Sequence, residues 1–190
     1  MKLYAFAVYA AFAAAMPADK SAVQMAMERN SFVHSESGHG SGVLLDCFNH
    51  KGRVLSNFHI LMHDERVGVG VYEVRVLKVS PKYDLALLES RCDDNLPTLK
   101  FSDVKVDEDI FYVGNPMGVI DSLVRGRAIN LDDKYIYSDV LATEGFSGSG
   151  TYNAKGELVG ICNGWKKSPG GGSALALITR ASVIKEFLKE

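Results

Sequence analysis

The chain has 190 residues, of which 47% are apolar, and its formal net charge at pH 7 is -2. This length is enough for one ordinary globular domain, or for two small lobes, with a substantial apolar core. Because acidic and basic residues are mixed along the sequence, nothing predicts a surface for nucleic acid or for an anionic membrane.

An apolar run over residues 3–15 follows a single early lysine at the N-terminus. The run is too short for a comfortable membrane span, and Ala13 and Ala15 provide the small-x-small pattern that signal peptidases read. We therefore predict a signal peptide over 1–18, removed near Ala15 or Ala18, and export to the periplasm or out of the cell. If the run is not a signal peptide, the expected location is the cytoplasm. No later stretch is long enough to cross a membrane.

Short apolar runs separated by turn residues fill most of the chain after a first short helix over 21–29. Glycine, asparagine, aspartate and serine recur between the runs, which is typical of an all-β sandwich or barrel. The predicted strands lie at 42–48, 53–56, 73–79, 84–89, 110–113, 122–129, 135–140, 158–162 and 174–178. A last helix is predicted over 179–189 with Thr179 as its cap, and a boundary between two lobes is predicted at 103–109.

Three cysteines, Cys47, Cys92 and Cys162, lie in or next to predicted strands. In an exported protein one pair could form a disulfide and leave one free thiol, whereas in a reducing compartment all three would be small core residues. Core packing is the favoured interpretation. A zinc site is not predicted, because the helical spacing of His59 and His63 lacks the intervening glutamate of a zincin.

Three short motifs supply the chemical groups of a hydrolytic site. His59 follows a predicted strand, Asp84 opens another, and Ser147 lies in a Gly-Phe-Ser-Gly run. A serine nucleophile needs an imidazole base within hydrogen-bond reach, and the imidazole needs a carboxylate that fixes its tautomer. Glycines beside the serine let its loop aim amides at an oxyanion, here those of Gly145 and Ser147, with Phe146 as a third. The order His, Asp, Ser excludes an α/β-hydrolase, in which serine comes first.

Further motifs accompany these three, and the ordered set covers 40–45, 56–59, 83–88, 114–118, 138–140, 145–148 and 156–161. Over about 31–189 the chain resembles trypsin-like peptidases of the HtrA/Deg type. The resemblance implies a domain over 19–190 that is all-β, with two six-stranded antiparallel β-barrels of the chymotrypsin-like kind, over about 30–102 and 108–178, and a C-terminal helix over 179–189. It also implies peptide-bond hydrolysis through an acyl-enzyme, with His59, Asp84 and Ser147 as the triad and with no metal or organic cofactor.

The sequence departs from the family pattern beside the nucleophile. Phe146 stands where these enzymes usually have asparagine or aspartate, and Ser149 and Gly150 replace the common Gly-Pro. These changes remove no catalytic group, but the shape of the oxyanion loop cannot be carried over from the family. With no aspartate at position 146 to receive a new amino terminus, zymogen-type activation is not expected. We expect no PDZ module after the predicted helix, so oligomer assembly and PDZ regulation are not carried over from the family.

By the same resemblance, the substrate pocket has Leu141 and Ala142 as its floor, Cys162, Asn163 and Gly164 as its wall, and 172–174 opposite. No carboxylate lies at the base of this pocket, so a preference for lysine or arginine lacks its charge partner. We therefore predict cleavage after small or medium apolar residues.

The leading hypothesis is an exported serine endopeptidase that acts on unfolded or extended polypeptides in quality control or processing. The motif over 143–148 also resembles chymotrypsin-like processing peptidases of some RNA viruses, which is the alternative within the fold. A catalytically inactive peptidase-fold binding module and an all-β interaction domain with an accidental triad are the non-enzymatic alternatives. The sequence predicts no oligomeric state.

Overall fold

A computed structural model describes residues 20–62, 66–93, 95–167 and 174–189. Over these ranges the backbone forms two lobes of antiparallel strands, with one helix near each end. The elements in chain order are α1 (Lys20–Glu28), β1 (Asn30–Ser35), β2 (His39–Phe48), β3 (Lys51–Ser56), β4 (Val67–Val69), β5 (Tyr72–Glu73), β6 (Arg75–Ser80), β7 (Leu85–Arg91), β8 (Asp109–Gly114), β9 (Ser122–Leu131), β10 (Tyr135–Ser138), β11 (Gly150–Tyr152), β12 (Leu158–Lys167), β13 (Ala174–Arg180) and α2 (Ala181–Lys189).

The first lobe is a seven-stranded sheet in the order β5-β4-β1-β2-β3-β7-β6. Over the described residues it does not close into the six-stranded barrel implied by the resemblance. The seventh strand, β5, arises because the chain turns back at Gly70, which has φ +57. Its central strands are buried, as the apolar runs in β2, β3 and β7 predict.

The second lobe is a closed barrel of six strands in the order β10-β13-β12-β11-β8-β9. It confirms the all-β fold class and the six-stranded barrel for this half of the chain. The last helix begins later than predicted, at Ala181. Thr179 is not the cap of this helix, because it is still part of β13, where it pairs with Ile161 of β12. The Thr179 hydroxyl donates to the side-chain oxygen of Asn163 and not to the helix.

The largest apolar cluster draws on both lobes and both helices. Its fully buried members include Leu55 of the first lobe, Phe111 and Tyr152 of the second, and Ile184 and Phe187 of α2. Burial of side chains of this size contributes roughly 1.5–3 kcal/mol each. This shared core holds the two lobes in one arrangement, with the candidate site between them. Within the described ranges, neither the two α-helices nor the short 3-10 turns have the length and apolar character needed to span a membrane.

Cys47 and Cys92 form a disulfide, with Cα atoms 6.2 Å apart. The favoured interpretation of three core thiols is therefore wrong for this pair. Strands β2 and β7 both pair with β3, where Gly52 lies opposite Cys47 on one side and Ser90 on the other. The two cysteines consequently reach the same end of the sheet although 45 residues separate them. Cys162 is a free, buried thiol.

Candidate active site

The side chains of His59 and Asp84 meet at one end of the first sheet. Strands β3 and β7 pair up to Ser56 opposite Ala86, so the residues after β3 lie beside those before β7. Nδ1 of His59 is 2.7 Å from Oδ2 of Asp84, and the His59 amide donates to Oδ1 at 2.9 Å. Both carboxylate oxygens thus orient one imidazole. A carboxylate that accepts the Nδ1–H leaves Nε2 as the basic atom.

The backbone of Asp84 is held in a conformation that few residues adopt. Its φ is +54, in the left-handed region where aspartate is more common than most non-glycine residues. Its carbonyl oxygen accepts the side-chain amide of Asn57 at 2.9 Å and the Phe58 amide at 3.3 Å. These bonds keep the turn in place so that the carboxylate faces His59. Asn57 is fully buried, and the sequence did not single it out.

Ser147 lies in the loop between β10 and β11, at a bend that requires glycine on both sides. Gly145 and Gly148 have φ +85 and +84. A Cβ at 145 would lie 2.4 Å from the carbonyl oxygen of Asn115, and one at 148 would lie 1.9 Å from that of Ser41. Both the backbone conformation and the close approach therefore exclude a side chain at these positions.

Ser41, in β2 of the first lobe, holds this loop from the opposite side. Its amide donates to the carbonyl oxygen of Ser147 at 2.7 Å, and its hydroxyl donates to that of Gly145 at 2.8 Å. The same hydroxyl accepts the Asn115 amide at 2.8 Å. Ser41 is fully buried, and a satisfied buried network of this kind makes the local geometry rigid. In the sequence Ser41 lies between two glycines within the motif over 40–45, but its contact with the nucleophile loop was not predicted.

Two amides beside the nucleophile are available to an incoming group. Within the described part of the chain, the amides of Gly145 and Ser147 donate to no protein acceptor. The Phe146 amide, counted as a third donor from the sequence, instead donates to the carbonyl oxygen of Thr143 at 3.1 Å. Unpaired amides at this spacing suit a developing oxyanion.

The hydroxyl of Ser147 donates to the carbonyl oxygen of Asn163 at 3.4 Å, which is a long contact. The structure joins His59 directly to Asp84, but no hydrogen bond links Ser147 to His59 among the residues it describes. Hydrogen bonds between a nucleophile and its base are often long before substrate binds. The Asn163 side chain also contacts Asp84, so this residue lies between the acid and the nucleophile.

The residues predicted to line the substrate pocket divide into three environments. Ala142 and Cys162 are buried in the apolar cluster of the second barrel, where burial raises the pKa of the Cys162 thiol to about 12. Leu141 is 49% exposed. Asn163 turns its side chain towards Asp84 rather than into a pocket. Of the opposite wall, residues 172 and 173 lie outside the described ranges.

Phe146 anchors the nucleophile loop in the core of the second barrel. Its side chain is only 4% exposed, and its ring meets that of Tyr112 edge-on, with centroids 6.4 Å apart. Val140 and Ala142 belong to the same apolar cluster. The side chain of the residue before Ser147 is thus held by apolar packing.

Acidic, histidine and cysteine side chains form no group of three or more that could hold a metal ion within the ranges described. His63, the second histidine of the spacing considered in the sequence, lies outside those ranges.

Comparisons with known proteins show what this chain is similar to. The family model described as a trypsin-like peptidase domain matches residues 40–161. The periplasmic serine endoprotease DegP of Salmonella typhimurium is 24% identical over 168 residues, which are 80% of this chain and 35% of that protein. A Haemophilus influenzae protein named "Probable periplasmic serine protease do/HhoA-like" is 31% identical over 155 residues, 72% of this chain and 33% of its own length. The chain therefore spans about a third of the length of these curated relatives.

A solved structure from M. tuberculosis, an inactive serine-to-alanine mutant, has the same fold. It superposes with a TM-score of 0.74 at 19% identity and covers 92% of both chains.

Proposed function

Because the chain belongs to the trypsin-like peptidase domain family, we propose that it is a serine endopeptidase with Ser147 as nucleophile, His59 as general base and Asp84 as the carboxylate that orients His59. The proposal rests above all on the His59–Asp84 contact, in which both carboxylate oxygens hold one imidazole. A histidine that merely filled a surface position would not need this double contact.

The geometry supports a stepwise acyl transfer. Ser147 Oγ attacks the peptide carbonyl carbon while its proton passes to Nε2 of His59, and Asp84 stabilises the resulting imidazolium. The former carbonyl oxygen becomes an oxyanion and accepts hydrogen bonds from the amides of Gly145 and Ser147. Each of these hydrogen bonds raises the rate of the chemical step roughly a hundredfold or more. The imidazolium then protonates the leaving amine. Water then attacks the acyl carbon while its proton passes to His59, and the ester bond to Ser147 Oγ breaks as His59 returns that proton to Ser147.

An edge of β12 beside Ser147 supports extended polypeptides as the substrates. The last pair between β11 and β12 is Gly150 with Ile161, although β12 continues to Lys167. Cys162 still exchanges backbone hydrogen bonds with Gly148 and Ser149 of the nucleophile loop, so this edge of β12 extends past its neighbour only after Cys162. An extended peptide can add to such an edge through main-chain hydrogen bonds. We take this as the binding site for the residues before the cleaved bond.

The surroundings of the loop support a preference for small or medium apolar residues at that bond. Val140, Ala142 and Phe146 are apolar and buried. The nearest acids in sequence, Asp139 and Glu144, are exposed, and Asp139 accepts a backbone amide at 2.7 Å. A lysine or arginine side chain would thus find no buried carboxylate among these residues.

Export is part of the same proposal. The Cys47–Cys92 disulfide suits an oxidising compartment, and the Salmonella and Haemophilus relatives are named periplasmic. We propose a role in protein quality control or processing outside the cytoplasm, with unfolded polypeptides as substrates.

The test is hydrolysis of unfolded casein together with labelling by a fluorophosphonate probe. We expect the chain to cleave casein and to be labelled, and Ser147→Ala to do neither. Ser149→Ala is the matched control, because Ser149 lies two residues away with a buried hydroxyl that has no partner in the described structure. Folded protein that neither cleaves nor labels would contradict the proposal and favour a peptidase-fold binding module.

A further inference from the structure

The turn that carries Asp84 has only weak backbone hydrogen bonds of its own. It spans residues 81–84 between β6 and β7 and is called here the β6–β7 turn. The Tyr83 amide donates to the carbonyl oxygen of Ser80 at 3.3 Å, and the Asp84 amide donates to that of Pro81 at 3.4 Å. Both distances are longer than is usual for an N–H···O hydrogen bond. Contacts from outside the turn are therefore needed to fix its position.

One such contact comes from the C-terminal helix α2. Tyr83 is only 7% exposed, and its hydroxyl donates to Oε1 of Glu186 at 2.6 Å. The same hydroxyl accepts a hydrogen bond from Lys82 Nζ at 2.6 Å, and this ammonium lies 4.4 Å from the centroid of the Tyr83 ring. Hydrogen bonds to charged groups are stronger than those between neutral groups. The side chain next to Asp84 is therefore tied to α2.

Helix α2 is itself held firmly against the first lobe. Ile184 and Phe187 are fully buried in the apolar cluster that contains Tyr83. Lys78 of β6 donates from Nζ to the carbonyl oxygen of Phe187 and lies 4.9 Å from the centroid of its ring. A cation stabilises the C-terminal end of a helix, where carbonyl oxygens lack partners within the helix. Because packing and charge fix this helix, Glu186 can hold Tyr83 at a defined position.

A second contact comes from the turn between β9 and β10, in the second lobe. Lys134 donates from Nζ to the carbonyl oxygen of Lys82 at 2.8 Å. Its ammonium lies 4.8 Å from the centroid of the Tyr135 ring and 5.9 Å from that of Tyr83. Cations are attracted to aromatic faces at such distances, so the two rings help to place this ammonium. The second lobe thus holds the peptide group that joins Lys82 to Tyr83, directly before Asp84.

We propose that Glu186 and Lys134 are positioning residues for Asp84. Glu186 acts through the Tyr83 side chain, and Lys134 acts through the Lys82 carbonyl. The inference rests on the proposed endopeptidase function and adds to it that the β6–β7 turn must be held by α2 and by the second lobe. A misplacement of about 1 Å can cost roughly a hundredfold in rate, so a small movement of this turn is enough to slow catalysis.

The first test is steady-state hydrolysis of an internally quenched peptide. We expect Glu186→Ala and Tyr83→Phe each to lower kcat about tenfold and to change KM by less than about twofold. Glu186→Gln keeps an oxygen that accepts the Tyr83 hydroxyl, so it should recover most of the lost kcat. Lys185→Ala, at an exposed neighbouring position on α2, is the matched control and should keep full activity. Full kcat in Glu186→Ala, or no recovery in Glu186→Gln, overturns the role of Glu186.

Lys134 is tested in the same assay. Lys134→Met keeps the length of the side chain and removes the ammonium that binds the Lys82 carbonyl. We expect it to lower kcat about fivefold or more at nearly constant KM. Lys105→Met, at an exposed lysine before β8, is the matched control and should leave both constants unchanged. Equal kcat in the two variants overturns the role of Lys134.

Proton NMR separates this proposal from the catalytic one, because it needs no turnover. The proton between Nδ1 of His59 and Oδ2 of Asp84 lies in a 2.7 Å contact, and a proton in so short a charge-assisted hydrogen bond gives a separate low-field signal. Asp84→Asn identifies the signal by removing it. The signal should weaken or shift in Glu186→Ala and Lys134→Met and should be unchanged in the two lysine controls.

The outcomes of this measurement are distinct from those of the activity assay. A low-field signal that changes in both variants supports the positioning role even if the chain hydrolyses nothing, and in that case only the endopeptidase proposal fails. A signal that is absent from the unmodified chain, or unchanged in both variants, overturns the positioning role whatever the activity.

Discussion

The side-chain amide of Asn163 donates to Oδ2 of Asp84 at 3.3 Å, the same oxygen that faces Nδ1 of His59. Two donors hold the Asn163 side-chain oxygen in turn, Asn57 Nδ2 at 3.2 Å and the Thr179 hydroxyl at 2.7 Å. The second lobe thus helps to position a carboxylate that the first lobe carries.

Removal of this contact should slow catalysis without preventing folding. Loss of one hydrogen bond to a charged group costs about 1.5–3 kcal/mol, so we expect Asn163→Ala to lower kcat roughly ten- to hundredfold and to change KM little. Asn163→Asp should be at least as damaging, because it places a second negative charge beside Asp84. Asn130→Ala, at an exposed site on β9, is the control in steady-state assays of a quenched peptide. Full kcat in Asn163→Ala would show that the contact does not position the acid.

The packing of the Phe146 side chain should contribute to the free energy of unfolding. Truncation of a buried phenylalanine leaves a cavity and costs about 3–5 kcal/mol, so Phe146→Ala should lower the free energy of unfolding by that amount in urea titrations. It should also slow labelling of Ser147 by a fluorophosphonate, because the loop loses its anchor. Phe48→Ala, at a 55% exposed phenylalanine, should change neither quantity much. Equal effects of the two variants would contradict the anchoring role.

The Cys47–Cys92 disulfide should contribute strongly to stability. Loss of a native disulfide from a small domain typically costs about 2–5 kcal/mol, and we expect this from Cys47→Ser combined with Cys92→Ser. A reducing agent should destabilise the wild-type chain to the same extent and leave the double variant unchanged. The Cys162→Ala variant should still be destabilised by the reducing agent, because it keeps the Cys47–Cys92 disulfide. If the reducing agent did not change the urea midpoint of the wild-type chain, the disulfide would not contribute to stability.

The buried thiol of Cys162 should make stability depend on alkaline pH. Burial raises its pKa from 9.0 to about 12, so the unfolded chain releases this proton at a lower pH than the folded chain. The stabilisation is therefore complete below pH 9 and decreases as the pH rises from 9 towards 12. Each proton of difference changes the free energy of unfolding by about 1.4 kcal/mol per pH unit. Urea titrations across this range should show a steeper decline for wild type than for Cys162→Ala, and equal slopes would contradict the argument.

The all-β class, most strands and the three motifs around His59, Asp84 and Ser147 could be predicted from the sequence alone. These features are local, because alternating burial, turn residues and glycines that allow positive φ are visible within a few neighbouring positions. Strands such as β1 and β11 were missed because polar or small residues interrupt their apolar pattern.

The contacts between groups that are distant in sequence could not be predicted, because they depend on the three-dimensional fold. Cys47 reaches Cys92 because both flank β3, and Asn163 reaches Asp84 because the lobes share one core. The buried bonds of Ser41 to the nucleophile loop likewise join residues about a hundred positions apart. Such contacts depend on strand register and on the packing of one lobe against the other, and no short stretch of sequence carries that information.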